Sequence, residues 1–544
     1  MWQITVESYK SNLENSLKYI NDNWDKIQLI RTPSDIVEGQ IYKFRGMVQD
    51  MLDPIYFYAT YEVRNTATGE TQQRCGKYVD FLDCVEGEEL IMDSANCVNA
   101  QRKPYYCITI PGLNNWAQLN PNQEKILPAE SSSNLVPEKR NIEAMETDEE
   151  HDSKRYRTDR GHSKLSGPAE KSYPIPDPTN MSCIVHFYED IPQNIKVTDT
   201  IEVVGFAYRN EIPQDDADDP PVRNIPRLHA VAFRELKTSN PLYTETTNSD
   251  EVLSEAKALR SELHLVLSQL FLGDHLAADF FICYLLARIY KRQDCLALGK
   301  MSMNLFNIPM NNGLSYPHHL YRVLEKLVPK SYLFPMTLRN MNTTNMSPRK
   351  NYDLDRLESG LLQLSSQTHL VIDETKLETG KLEEKGVQNF KTMMYIISQQ
   401  KINYDFKYYS IEFDTDIPIL ILSEGKSALP SDCKVSLKPD PSCSVTTEVF
   451  DSILMYLQEP LLSKLRLYLT VASMADFELP EDLLQLIQDD FVKLRQRFNA
   501  TADDLHNLII LARWTSLSYG EKKLTREMWE KVGKMDLARR ERLT

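Results

Sequence analysis

The stretch HLVIDE at 369–374 sets three apolar residues, Leu370 to Ile372, directly before two acids, Asp373 and Glu374. So short an apolar run, closed by charge, reads as a strand buried on both faces. P-loop ATPases use such a strand to carry acids to the C-terminal edge of a parallel sheet. There the acids hold Mg²⁺ and position the attacking water. IPILIL at 417–422 is a second apolar strand of the same kind, ending at Ser423 and Glu424. Further strand-like runs stand at 301–306 and 332–338.

Helical patterns separate these runs. Leu259, Leu263, Val266 and Leu270 share one face of a helix predicted over 251–272. Gly273 breaks that helix, and Asp274 supplies an N-cap for a second one predicted to run to about Arg292. Helix-dominated sequence fills 447 to the end. Helices between short apolar strands require crossover connections, hence an α/β unit with a mainly parallel sheet.

An ATPase would also need a phosphate cradle of the form G-x-x-x-x-G-K-S/T, whose backbone amides wrap the phosphates while the Lys reaches them. Gly425-Lys426-Ser427 is the one G-K-S/T triplet, but the residue five before Gly425 is Leu420, inside a strand, and the triplet follows the acidic strand. Gly299-Lys300 is followed by Met301 and preceded at that distance by Asp294. Neither makes a cradle, so no nucleotide cofactor is expected. No G-x-S-x-G elbow, H-E-x-x-H pair or cysteine-nucleophile signature occurs either, and an enzyme is not expected.

The N-terminal half has a different texture. Leu13, Leu17, Ile20 and Trp24 mark an amphipathic helix over 8–24. Aromatic and β-branched runs follow at 41–48, 55–63 and 105–110, with turn signals at Asp53-Pro54 and Thr68-Gly69. Similar runs return at 183–188, 200–206 and 228–234, so the strands build either one split β-domain or two. Between them, 117–178 carries a serine triplet, several prolines and an acidic run through Glu146, Asp148, Glu149, Glu150 and Asp152. Such a segment is expected to be a disordered linker, because it has too little apolar surface to offset its ordering entropy. Within it Lys154, Arg155, Arg157 and Arg160 form a basic cluster of the kind an import receptor reads, which points to the nucleus.

The organisation expected is therefore 1–116, a helix and β-domain; 117–178, the linker; 179–245, a second β segment; 246–446, the α/β domain; and 447–544, a helical region. With 62 basic against 78 acidic residues the formal charge is −16, which disfavours direct nucleic-acid binding, since phosphate contacts are driven by Lys and Arg. The nine cysteines lack a C-x-x-C pair and are read as buried free thiols, not metal ligands. No secretory signal opens the chain, and the most apolar stretch, 276–290, is too short and too charged to span a bilayer.

FRGMVQDMLDP at 44–54 is similar to a hallmark of the MCM-binding protein family. PLYTE near 241–245, LGDHLAADFFICYLL at 272–286, RLESGLLQLSSQTHLVIDET at 356–375 and TADDLHNLIILAR at 501–513 resemble it too. A more distant resemblance, to the MCM helicase subunits, covers the acidic strand, DDFVKLRQRF at 489–498 and the helices after Thr501. It implies an α+β multidomain chain: an OB-like barrel, the acidic linker, then a degenerate AAA+ domain with a helical lid. Where the helicase lid usually places a nucleotide-sensing arginine, this chain has Asp503, so Asp373, Glu374 and Asp503 become relic positions. OB barrels bind single strands by stacking bases on aromatics, a role Tyr42, Phe44, Arg45, Tyr56 and Tyr58 would fill. Core filling is the favoured alternative for these aromatics. The family resemblance implies a non-catalytic partner of MCM subunits, chromatin-associated through them, that serves their assembly or unloading in DNA replication and supports sister-chromatid cohesion.

Overall fold

The computed structural model describes residues 4–82, 84–91, 94–118, 173–188, 194–209, 225–293, 296–309, 315–353, 356–441, 443 and 446–543. The basic cluster Lys154, Arg155, Arg157 and Arg160, and most of the predicted linker, lie outside them.

The aromatic and β-branched runs form β1 (Gln40–Met51), β2 (Ile55–Asn65), β5 (Val98–Ile108), β6 (Ser182–Tyr188), β7 (Thr200–Tyr208) and β8 (Arg227–Glu235), with β3 (Thr71–Cys75) and β4 (Glu88–Ile91) added beside β2. All eight belong to one sheet, so the strands on either side of residues 119–172 make one β unit. Cys107 faces Cys183 across the β5–β6 pair. β1 pairs antiparallel with both β7 and β5, β7 with β8, β8 runs parallel to β6, and β6 returns to β5. Five strands thus close a ring. β1 serves two neighbours because its register shifts between Val48 and Asp50, a bulge that bends the strand across the ring. Phe44, Val48, Cys107, Val185, Phe187, Val203 and Leu228 fill the interior. Outside it, the N-terminal helices Val6–Ser11 and Leu13–Asp22 bring Tyr9 and Ile20 against Tyr78, Tyr188 and Phe206.

The second half is built on β11 (Met303–Phe306), β12 (Ser331–Pro335), β15 (His369–Asp373), β18 (Ile419–Leu422) and β19 (Cys433–Ser436). Their order is β12-β15-β18-β11-β19, every pair parallel, as the alternation of helix and strand predicts. A short hairpin, β9 (Lys291–Gln293) with β10 (Leu296–Leu298), precedes the sheet. A side sheet joins β13 (Arg349–Asn351), β14 (Arg356–Glu358), β16 (Lys401–Asp405) and β17 (Ser410–Asp414). The helix begun at Asp274 stops at Leu286, short of the predicted Arg292, where Ala287 turns extended and leads into the hairpin. Asp274 does cap it, accepting from the Ala277 amide at 3.1 Å. The C-terminal helices Leu461–Met474, Ala502–Ser518 and Arg526–Glu541 share one apolar core with β11, β18 and the Ala256–Leu270 and His275–Leu286 helices. Trp514, fully buried, donates its indole N–H to the Gly299 carbonyl at 3.1 Å.

The two halves are hydrogen-bonded together. Residues leaving β5 lie antiparallel along the outer edge of β12: Ser331 N–H donates to Gly112 O at 2.8 Å and Asn114 N–H to Pro329 O at 2.9 Å. Trp116 donates to Glu325 O at 2.9 Å and stacks under the Arg466 guanidinium, 4.0 Å from its ring centre. Gln363 donates to Gln49 O at 2.9 Å. No helix among the described residues is long and apolar enough to cross a membrane.

Asp274 joins both ends of the second half, since it also accepts from Lys438 N–H at 2.9 Å and from Arg542 at 2.6 Å. Asp274→Ala is expected to cost about 3 kcal/mol in denaturant unfolding, by removing a cap and a buried ion-pair partner. Arg542→Ala should cost less, its side chain being 23% exposed. Equal midpoints for wild type and Asp274→Ala would contradict this role.

Candidate functional site

Asp373 ends β15, at the C-terminal edge of the parallel sheet where open α/β proteins bind ligands. Asp373 is only 3% exposed. Its Oδ1 accepts from the Thr375 amide at 3.1 Å and from the Thr375 hydroxyl at 2.5 Å, capping the short 3₁₀ turn Glu374–Lys376. Burial raises the Asp373 carboxyl above its ordinary pKa, with the Thr375 hydrogen bonds opposing. Glu374 is tied differently: its Oε1 accepts from the Ala428 amide at 2.8 Å, which fastens the end of β15 to the loop after β18. Beside them Ser423 accepts from Asn304 at 3.0 Å and donates to Gly425 O at 2.9 Å. Both acids therefore serve backbone amides and hydroxyls of their own chain.

The strand–loop–helix unit that would carry a phosphate cradle runs from β11 through 307–315 to the Tyr316–Leu327 helix. Its sequence, NIPMNNGLS, has Ile308 and Leu314 where the motif requires the first Gly and the Lys. No Lys or Arg occurs from 301 to 321. Pro317, in the first helical turn, removes an amide that an anion at the helix N-terminus would use. The two lysine candidates lie elsewhere. Lys426 follows β18, and Lys300 is held by Asp432 at 2.5 Å.

Asp503 lies exposed in the first turn of the Ala502–Ser518 helix, and among the described residues no hydrogen bond joins it to Asp373 or Glu374. Its neighbour Asp504 completes the capping box with Thr501 and pairs with Arg540 at 2.8 Å. Of the aromatics considered for base stacking, Tyr42 and Phe44 are buried in the ring, while Tyr56 is 72% exposed. The eight described cysteines are free; burial pushes Cys283 up to about 11 and Cys433 to about 12.

One cluster has no motif spacing to announce it. Asp80, His186 and His229 converge on the outer face of the ring within reach of a common ion. Arg227 holds Asp80 at 2.7 Å, His229 Nε2 lies 3.0 Å from the same carboxylate, and Tyr188 meets His229 Nδ1 at 2.7 Å. Burial opposes the charge on Asp80, yet the His229 hydrogen bond and the Arg227 charge keep it well below the usual carboxylate range. A divalent cation would add charge to a buried site already holding a guanidinium. Arg227, Asp80, His229 and Tyr188 form a hydrogen-bonded network that pins the segment around Asp80 to the ring, with His186 stacked on His229.

Fold and site define a mixed α/β protein with a closed β-ring and a parallel sheet whose acidic strand end is occupied by its own backbone. The family model described as mini-chromosome maintenance replisome factor matches residues 14–543, and the chain belongs to this family. Similar relatives are each named mini-chromosome maintenance complex-binding protein. The Salmo salar protein is 35% identical over 93% of this chain and 88% of its own length. The Homo sapiens protein is 33% identical over 92% and 88%. The Drosophila melanogaster protein is 33% identical over 96% and 93%. These relatives are named as binding proteins, not as enzymes.

If Asp373 is only a turn cap, Asp373→Asn keeps an acceptor for Thr375 and removes a buried charge. Its unfolding free energy should stay within about 1 kcal/mol of wild type, or rise. A loss above about 3 kcal/mol in urea titration would show that the charge itself is needed.

Proposed function

We propose that this chain is a non-catalytic binding protein of the MCM replicative helicase subunits, acting as a pseudo-subunit that presents helicase-like faces without a competent nucleotide site. The observation that carries the reading is the segment 307–315, which joins β11 to the Tyr316–Leu327 helix in sequence and contains no Lys or Arg. Two fold features support it. The sheet order places the first strand, β11, between the fourth and fifth, β18 and β19, as in AAA+ ATPases. The closed five-stranded ring, with its third and fifth members β6 and β8 parallel, has the order of an OB barrel. The names of the relatives supply the partner.

On this reading the protein works in the nucleus, imported through the cluster at Lys154, Arg155, Arg157 and Arg160. It assists assembly or unloading of MCM complexes during replication, supports sister-chromatid cohesion and meets chromatin through its partners. Direct single-strand binding by the ring is disfavoured because Tyr42 and Phe44 are spent on the core.

Co-expression with MCM subunits followed by size exclusion tests the proposal. A stable complex that lacks at least one MCM subunit and forms equally with and without Mg-ATP is expected. Absence of co-elution from folded protein in either condition would overturn it.

A further inference from the structure

Where the ring, the parallel sheet and the Leu461–Met474 helix meet lies a small, partly open cavity of about 60 Å³. A buried water needs about 10–15 Å³ on this measure, so the space suits about four waters or one small polyatomic ion. Its walls include Arg288, Lys330, His369, Gln367 and Ser239, and no Asp or Glu lines it. That charge pattern is unusual for an interior, where a buried cation ordinarily has a carboxylate against it.

Lys330 is 3% exposed and gives its ammonium to two neutral oxygens, the Ser365 hydroxyl at 2.8 Å and the Ser366 carbonyl at 2.5 Å. One of its three donors is left over. Arg288 spends one N–H on the Lys237 carbonyl at 3.4 Å. Among the described residues neither side chain forms an ion pair. Ser239, 1% exposed, has a hydroxyl with no hydrogen-bond partner.

Arg288, Arg292 and Lys330 share one buried carboxylate, Asp416. Asp416 lies outside the cavity wall and accepts from Gln367 at 2.8 Å and from the Ile289 amide at 3.2 Å. Arg45 adds positive charge from the ring side, with Glu202 4.0 Å from it. Burial holds His369 down at about 3, so it is neutral. Burial, with Arg288 and Arg45 behind it, pulls Lys330 down to about 7, and Asp416 only partly opposes them.

We propose that this cavity binds a small tetrahedral oxyanion of the phosphate or sulfate class, held by Arg288, Lys330 and the Ser239 hydroxyl. The ion fastens the β-ring to the α/β half at a place where the cavity wall supplies donors and no carboxylate. The inference is independent of the proposed MCM role, and its failure would leave that role untouched.

The test is calorimetric titration of the full chain with inorganic phosphate, and separately with sulfate, in chloride buffer at constant ionic strength. Thermal unfolding in the same buffers accompanies it. One equivalent of phosphate should bind, and saturation should raise the midpoint by about 2–4 °C over chloride. ATP should give no such isotherm, because a nucleotide exceeds the cavity; an ATP isotherm replacing the phosphate one would overturn the assignment to a free ion. Lys330→Met risks the fold, so the diagnostic variants are Arg288→Gln and Ser239→Ala. Arg288→Gln should weaken phosphate binding by at least about tenfold and Ser239→Ala by several-fold. Identical midpoints in phosphate and chloride, or an unchanged isotherm in both variants, would overturn the proposal.

Discussion

The architecture turns on a few backbone hydrogen bonds at the outer edge of β12. An edge strand of a parallel sheet exposes a row of unpaired N–H and C=O groups, which invite pairing with another chain. Residues 112–114, carried there by the long strand β5 of the ring, take up that edge at Ser331 and Pro329. Gly112 makes the approach possible: its φ is +68°, and a Cβ there would meet the Ser331 carbonyl at 2.8 Å. The same contact brings Trp116 onto Arg466 and sets the ring beside Lys330, so the two halves behave as parts of one packed body.

The parallel sheet explains how a strand typical of ATPases serves another purpose. β15 still delivers Asp373 and Glu374 to the C-terminal edge, because its position between β12 and β18 is decided by apolar burial of Leu370, Val371 and Ile372. The acids face donors of their own chain. Thr375 donates to Asp373 and the Ala428 amide to Glu374, and the segment that follows β11 in sequence, 307–315, contains no Lys or Arg. The frame is held by packing, and the acids at its edge are tied to their own chain.

How much of this was legible in sequence follows from where each element is buried. β6, β7, β11, β15 and β18 are apolar on both faces or nearly so, and they read plainly as strands. β3, with the sequence TQQRC, and β19, with CKVS, lie at sheet margins where one face is wet, and their composition resembles a loop. The Asp274 cap was visible from Gly273-Asp274, but the end of its helix at Leu286 was not, since the apolar run continues to Tyr290. At the site, the acids and the absence of a G-K-S/T cradle were readable. The ties to Thr375 and Ala428, the blank loop at 307–315 and the Asp80–His186–His229 network were not, because each depends on segments brought together only by the fold.

The central claim, that Asp373 and Glu374 serve as structural ties of their own chain, is tested most directly by titrating Mg-ATP into the purified full chain by calorimetry at millimolar nucleotide. The account predicts no saturable binding for wild type or Asp373→Asn. A one-to-one isotherm in wild type that disappears in Asp373→Asn would contradict it, because it would mean the strand end still holds the metal of a bound nucleotide.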